Sequence, residues 1–394
     1  MGSYLIVNPG SDSKKYAFYK DGTQQLFVHF EREGSKIVAT VKRGEQSQKS
    51  EVSQKDYDSS LEYLLQLMVK DKVVAKKTDI SGAGVRVVAP GDFFAVNKII
   101  AGGYLEKLRE ASRQAPLHLK PIILEIENLN RVLPDIPMAA ISDSAFHANL
   151  PKHSRLYNLP QEMAKKFEIY RFGYHGISAQ SVVNKIKTLL GNMPPRTIIC
   201  HLGSGSSIHA VKEGVSFDTT MGFTPLEGLT MGTRIGNIDA GAVLFLLQES
   251  GMSPSELEDF FNTKCGLLGL SGKTADIREL IELEKTGDAN ARIALDAFTY
   301  AVLKYIGAYT AALGGLDLLV FTATIGERSS IMRERICRGL ESLGIIIDGG
   351  KNQETVSRDG FLEKNESLVK VAVIVSDEMK QMADETAALC DSKP

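Results

Sequence analysis

The chain has no block of basic residues. Its 46 Lys and Arg are offset by 48 Asp and Glu, for a net charge of −2 at pH 7 and an isoelectric point near 6.4. That balance argues against a nucleic-acid-binding or anionic-membrane surface and favours a small-molecule partner. Cysteine is scarce too, and Cys200, Cys265, Cys337 and Cys390 are scattered without a Cys-x-x-Cys pair. This excludes a zinc knuckle by spacing, supplies no disulfide framework, and fits a reducing compartment. Neither a basic leader nor a long apolar run opens the sequence. No signal peptide or membrane span is therefore expected, and a cytoplasmic location is. Also missing is a Gly-rich loop ending in Gly-Lys-Ser/Thr, which removes the P-loop phosphate cradle from consideration.

What is present is a repeat. "YLIVNPGSDSKKYAFYKDG" (4–22) and "TIICHLGSGSSIHAVKEG" (197–214) share an apolar run, a Gly/Ser loop, a returning run and a charged Gly turn. Read without a gap, Gly10 falls on Gly203, Ser11 on Ser204, Ser13 on Ser206 and Ala17 on Ala210, a constant offset of 193 (203 − 10). Each copy reads as a hairpin whose small-residue turn aims backbone N–H groups and hydroxyls at an anion. With 394 residues, 43% of them hydrophobic, the chain has material for two cores.

Periodicity places a strand over 36–42, an exposed loop over 44–59 and an amphipathic helix over 61–69. Further helices are expected at 104–114 and 122–132, then a buried strand at 138–141 and a domain boundary near Pro151. In the second half a core helix spans 289–313. Ile293, Ala297, Phe298, Ala301, Val302, Tyr305 and Tyr309 recur at helical spacing along it, and Gly314-Gly315 is its stop. A strand over 316–322 runs into a turn at "TATIGERSS", a helix follows over 330–343, and a strand over 371–375 leads to a last helix capped by Ser376 and ending near 389. Strands mixed with helices in two similar halves give an α/β protein with two mixed sheets and an interdomain cleft, where ligands bind.

Polar residues gather at the expected strand ends: Asn8, Ser11 and Ser13; Arg86; Asp143 and His147; His175; His201; Arg234; Asp276 and Arg278; Glu378. Each has a plain structural reading, such as a salt-bridged strand-edge Arg, a satisfied core His or a turn-capping Asp. Together they match what phosphoryl transfer requires: cationic donors for the transferring group, carboxylates for a divalent ion, and backbone amides for a polyphosphate.

The motifs "NPGSDSKK", "RVVAPG", "APLH", "SDSAFH", "FGYHGIS", "CHLGSGSS", "FDTTMGFTPLEGLTMGTRIGNID", "GLLGLSGKTADIR", "VFTATIGERS" and "SDE" resemble, in that order, the acetate and propionate kinase family over nearly the whole chain. The resemblance implies duplicated actin-like (ribonuclease H-like) domains with mixed β-sheets flanked by helices. The first would comprise 1–150 plus the helix at about 379–394, carrying the acyl and metal side; the second, 151–378, would bind nucleotide and dimerise. It implies reversible transfer between ATP and acetate, giving ADP and acetyl phosphate, with Mg²⁺ or Mn²⁺, by a homodimer. By position, Asn8 and Glu378 match the metal-associated residues and Lys15 a donor-phosphate contact. Arg86, Asp143, His175 and Arg234 match the catalytic set. Val88, Leu117, Tyr174 and Pro225, with Arg86, match the acyl site. The nucleotide segments match His201, Leu202, Gly203, Ser204 and Gly205; Asp276, Ile277 and Arg278; and Thr324, Ile325, Gly326, Glu327 and Arg328.

A carboxylic acid acceptor, with a reference pKa of about 4, is already ionised at neutral pH, so no general base is needed. The arginines and His175 then serve to neutralise charge during in-line transfer, with Asp143 positioning groups or aiding the metal. The chain departs from the family's usual residues at Asp12, Val85, Ala89, Pro90, Ala179, Ser204, Asn237 and Thr324. These departures leave two rivals in play: a relative using pyrophosphate or another short acid such as propionate, and a nucleotide- or acyl-phosphate-binding pseudoenzyme.

Overall fold

The computed structural model describes residues 2–10, 13–34, 36–112 and 116–392, with only the backbone of 116–118. These fall into two compact units, Met1–Ala145 with Asp377–Pro394, and Phe146–Ser376. No helix among the described residues is long and apolar enough to cross a membrane.

The first unit is built on β1 (Ser3–Pro9), β2 (Ser13–Lys20), β3 (Thr23–Glu33), β4 (Lys36–Arg43), β5 (Gln46–Glu51), β6 (Gly82–Val87), β7 (Lys98–Ile99) and β8 (Met138–Ser142). They form one mixed sheet in the order β5-β4-β3-β2-β1-β6-β8-β7. Alternation divides the strands between two faces. Leu5, Val7, Tyr16, Phe18, Val85 and Val87 pack with Leu61, Leu64, Ile122 and Ile126 of helices Ser60–Lys70 and Pro116–Val132. The opposite face of β1, β6 and β8 takes the helix Glu378–Asp391. A Cβ on Gly84 would lie 1.9 Å from Thr386 Oγ1, so that approach requires glycine.

The second unit contains β9 (Arg196–Leu202), β10 (Ser206–Lys212), β11 (Val215–Thr219), β12 (Leu318–Thr322), β13 (Gly360–Phe361) and β14 (Lys370–Val373), in the order β11-β10-β9-β12-β14-β13. Ile198, Cys200, Leu202, Ile208 and Ala210 face the helix Ala289–Leu313. Ile199, Val211 and Val320 face Val182, Val183 and Ile186 of the helix Gly176–Leu190.

The five strands β3-β2-β1-β6-β8 thus recur as β11-β10-β9-β12-β14, each an antiparallel triplet followed by two parallel strands. This is a duplicated ribonuclease H-like topology. The parallel register repeats as well: Tyr4 pairs with Gly82 and Thr197 with Leu318, which keeps the offset of 193 (197 − 4).

The gapless reading of the hairpins does not hold on the returning strand. Ile6 pairs with Ala17, but its counterpart Ile199 pairs with His209 rather than Ala210. The missing residue lies in the loop. Gly10 N donates to Ser13 O in the first copy, whereas Gly203 N donates to Gly205 O, one residue sooner, in the second. Face assignment agrees, because a slip of one residue exchanges faces: Ala210 lies with the long-helix core and His209 takes Ala17's place. Both hairpins close on consecutive left-handed residues, Asp21-Gly22 and Glu213-Gly214, the geometry of a type I′ turn.

Other expectations also need correction. Residues 46–51 and 54–58 are a strand and a short helix rather than loop; the polar sequence hid an edge strand, whose two faces are largely solvated. The helix expected over 122–132 begins at Pro116, well before residue 122. In the helix Ala289–Leu313, Ile293 is 55% exposed, and the buried stripe runs instead through Ala291, Ala294, Leu295, Phe298, Val302, Ile306 and Tyr309. The "TATIGERSS" segment coils into the helix Ala323–Arg328, the next helix stops at Cys337, and Asp377 rather than Ser376 caps the last one, accepting from Lys380 N.

Candidate active site

In the first unit the carboxyl ends of three neighbouring strands carry Asn8, Arg86 and Asp143, where ligands bind open α/β sheets. Asp143 follows β8, and its N–H donates to Val87 O at 2.9 Å, which fixes it beside β6. The Arg86 guanidinium forks onto its carboxylate, with Nε–Oδ1 at 3.1 Å and Nη2–Oδ2 at 3.0 Å, and Nη1 reaches Asn8 Oδ1 at 3.4 Å. Burial alone would ease Arg86 towards neutrality, but Asp143 and Glu378 outweigh it and hold the guanidinium charged above its ordinary range. Glu378 opens the first turn of the last helix, and its carboxylate takes no hydrogen bond from the described residues. Lys15 lies directly across β1–β2 from Asn8. Val88 is half-buried against the core. Ser11, Asp12 and the side chain of Leu117 lie outside the described residues.

The second unit brings a different group together. His175 sits at φ 56°, a left-handed conformation at the entry to the helix Gly176–Leu190. Such a strained non-glycine residue is held in place by its surroundings. Its ring stacks on His201 with centroids 4.1 Å apart, and Ser178 Oγ and His201 Nδ1 are 2.8 Å apart. Gly205, in the loop between β9 and β10, is where His175 and Arg234 converge. A Cβ there would lie 2.2 Å from Arg234 Nη2 and 3.3 Å from His175 Nε2. Arg234 is steadied by Nη1 donating to Pro225 O at 2.7 Å. Tyr174 is buried, and its hydroxyl donates to Phe223 O at 2.7 Å.

Beside that loop is a cavity of about 670 Å³ lined in part by Gly203, Ser204, Asp276, Arg278, Thr324 and Arg328. The structure thereby assembles three sequence-distant segments around one space. Asp276 caps the helix Ile277–Lys285 by accepting from Arg278 N, and pairs with the Arg278 guanidinium, Nη2–Oδ2 at 2.5 Å. That hydrogen bond first, and the nearby charge, keep the Asp276 carboxyl below its ordinary range.

Several residues of the three segments turn away from the space. Leu202 buries its side chain in the core. The Glu327 carboxylate is turned inward, accepting from Ala323 N at 2.9 Å and Ser376 N at 3.2 Å, so that it ties the ends of β12 and β14. Gly326 O accepts from the fully buried Arg333 at 2.8 Å. Only Thr324, Ile325 and Arg328 of the last segment line the cavity.

Sequence reasoning missed two polar residues beneath His175: Ser207 and His209, both fully buried on β10. Their signal was two polar side chains at spacing two, on one face of an otherwise apolar strand.

The model of the acetokinase family matches residues 3–384. Acetate kinase of Bacillus cytotoxicus is 37% identical over 394 residues, covering 99% of each chain. That of Carboxydothermus hydrogenoformans is 38% identical, again over 99% of each. Among solved structures, Porphyromonas gingivalis acetate kinase superposes with a TM-score of 0.87 at 31% identity, covering 99% of this chain and 100% of that one. A propionate kinase from Francisella tularensis gives 0.90 at 32%, with the same coverage.

Proposed function

The chain belongs to the acetokinase family, and we propose that it moves the terminal phosphoryl group of ATP reversibly to acetate, giving ADP and acetyl phosphate. The observation that carries this reading is the convergence of Arg234 Nη2 and His175 Nε2 at Gly205, in the same loop whose Gly203 and Ser204 line a cavity together with Asp276, Arg278 and Thr324. Two donors at that point neutralise charge on a phosphoryl group in flight, and the cavity takes the nucleotide that delivers it.

The acceptor needs no base, so Asp143 is not called on to move a proton. Its fork with Arg86 instead fixes the guanidinium, a cation suited to holding a carboxylate or an acyl phosphate. Val88, Leu117, Tyr174 and Pro225 would bound the acyl methyl. His201, Gly203, Ser204 and Gly205 would carry the donor phosphates, chiefly through backbone N–H groups, with Lys15 as a further phosphate contact.

Kinases of this kind use a divalent ion, and the oxygen donors of the first unit suit Mg²⁺, with Mn²⁺ as substitute. No group of three His, Cys, Asp or Glu among the described residues could enclose a metal. Glu378 and Asn8 would be the ion's protein ligands, with phosphate oxygens and water completing the shell. When bound, the ion neutralises phosphate charge. Leu244, Phe245 and Tyr300, all at least 60% exposed, support a homodimer, which we place in the cytoplasm.

Trapping acetyl phosphate in parallel reactions with ATP, GTP and pyrophosphate tests the proposal. Product with ATP and Mg²⁺ is expected. Product with pyrophosphate alone would transfer the chain to the first rival, and nucleotide binding without product would make it a pseudoenzyme.

A further inference from the structure

Four of the seven histidines form one connected group within the second unit. His175 Nδ1 is 3.0 Å from Ser207 Oγ, Ser207 Oγ is 2.9 Å from His209 Nε2, and His209 Nδ1 is 3.0 Å from Thr219 Oγ1. His201 stacks on the His175 ring and His147 on the His209 ring, the latter pair with centroids 5.1 Å apart. Ser207, His209 and Thr219 are fully buried, so the direction of each bond is an accounting problem with few solutions.

His209 is neutral: burial first, then the neighbouring His147 and His201, push its pKa well below the ordinary value. One ring nitrogen therefore donates and the other accepts. If Nδ1 donates to Thr219, the buried Thr219 hydroxyl has no acceptor for its own hydrogen among the described residues. If Thr219 donates to Nδ1, Nε2–H donates to Ser207, and the Ser207 hydroxyl must donate onward to His175 Nδ1. In that arrangement every hydroxyl hydrogen is used, whereas the alternative leaves a buried one unmatched, at a cost to the fold. Neutral His175, accepting at Nδ1, must then carry its proton on Nε2, the atom that converges with Arg234 at Gly205.

We infer that His209 is a positioning residue that acts through Ser207 to fix the tautomer of His175, so that Nε2 presents an N–H to the transferring phosphoryl group. The inference rests on the phosphotransfer reading of His175 given above. It resembles the way a buried acid orients a catalytic imidazole, with a neutral imidazole and a serine doing the orienting. His209 stands where the first unit has Ala17, so the relay belongs to one half of the duplication only.

The test combines imidazole ¹⁵N spectra with kinetics on the full-length chain. His175 signals are assigned by their loss in His175→Gln, and that variant's turnover checks the underlying reading. Wild type is expected to show His175 protonated at Nε2. Ser207→Ala, a small deletion that the fold should bear, is expected to give a mixed or reversed tautomer and to lower kcat about tenfold with KM for ATP and acetate unchanged. His209→Leu should match it. His209→Gln, which keeps a donor near the Nε2 position, should retain most of the activity. A wild-type His175 protonated at Nδ1, or an unchanged tautomer in Ser207→Ala, would overturn the relay whatever the activity of the enzyme. Full turnover in His175→Gln would instead overturn the role of His175, leaving the tautomer result standing as a structural fact.

Discussion

Replacing Gly205 by alanine isolates the convergence of His175 and Arg234 from the stability of the fold. Gly205 is not among the glycines with a left-handed φ, so its backbone tolerates a Cβ. The new atom would lie 2.2 Å from Arg234 Nη2, where ordinary contact begins near 3.4 Å, so the guanidinium must retreat by 1.2 Å (3.4 − 2.2) to restore it. Retreat is cheap for the fold, because the obstructing atom is the tip of a flexible side chain, but it disturbs the 2.7 Å bond from Nη1 to Pro225 O. A misplacement of about 1 Å in a group that orients a reaction costs on the order of 10²-fold in rate, or about 2.7 kcal/mol of transition-state stabilisation. Gly205→Ala is therefore expected to lose about 10²-fold in kcat. Its thermal midpoint should stay within roughly 2 °C of wild type, since less than about 1 kcal/mol of stability is at stake. The assay is acetyl phosphate formation at saturating ATP, acetate and Mg²⁺, alongside a melting curve. Turnover near wild type, or a loss accompanied by unfolding, would refute the placement of Arg234 and His175 at the reacting group.

Arg86→Ala and Arg234→Ala should each lower kcat by about 10²-fold or more, the effect of removing a charge-stabilising donor; steady-state kinetics showing near-normal turnover in either removes it from the machinery. Ser204→Asn with Thr324→Gly restores the family's usual residues at two positions of the cavity wall, and at about 1 kcal/mol for each hydrogen bond gained the KM for ATP should fall at least roughly fivefold; an ATP titration giving an unchanged or higher KM contradicts this. With Val88 bounding the acyl methyl as proposed, propionate should be a poorer substrate than acetate by about 1–3 kcal/mol in kcat/KM, the discrimination one additional methylene allows; equal values for acetate, propionate and butyrate would exclude that site. His209 makes stability fall with acid. Its folded pKa lies below the ordinary 6.5, so only the unfolded chain takes up a proton there as pH drops, and about 1.4 kcal/mol is lost per unit below that value. Urea unfolding at pH 7.5 and 5.5 should show His209→Gln losing about 1.4 kcal/mol less than wild type over that interval, and equal losses would show that His209 is not held neutral.

The duplication was legible because the apolar runs around each Gly/Ser loop are strong local signals, and the parallel register later kept their offset. The hairpin slip was not legible. Both loops align equally well as text, and only the faces claimed by the helices decide that His209, rather than Ala210, faces the helix carrying His175. The same blindness explains Ile293, which satisfies a helical period from one origin while packing follows another beginning at Ala291. Strand-end residues such as Arg86 and Asp143 were visible as a chemical set, yet their two-pronged fork depends on β6 and β8 becoming neighbours after a long intervening stretch. Glu327 shows the converse. Its motif points to nucleotide, but its carboxylate is needed inward by the N–H groups of Ala323 and Ser376.

Superposing the two strand registers shows how one fold was put to two uses. With the offset of 193, Asn8 corresponds to His201, and through the paired strands Arg86 corresponds to Thr322. The same step across the next pair takes Met138, partner of Ala83, to Val371, partner of Leu319, and so takes Asp143 to Ser376. In the first unit two of these strand ends are charged and all three are bonded, with Arg86 gripping Asp143 and touching Asn8. In the second they are His201, Thr322 and Ser376, and one buried carboxylate, Glu327, satisfies the N–H of Ser376 and the hydroxyl of Thr322. An anion arriving at the first unit meets a fixed cation; one arriving at the second meets backbone amides of the 203–205 loop and the Arg234–His175 pair beside it. The division follows from which side chains follow β1, β6 and β8 as against β9, β12 and β14. Exchanging a strand-end residue between the halves should therefore abolish its local role while leaving either sheet intact.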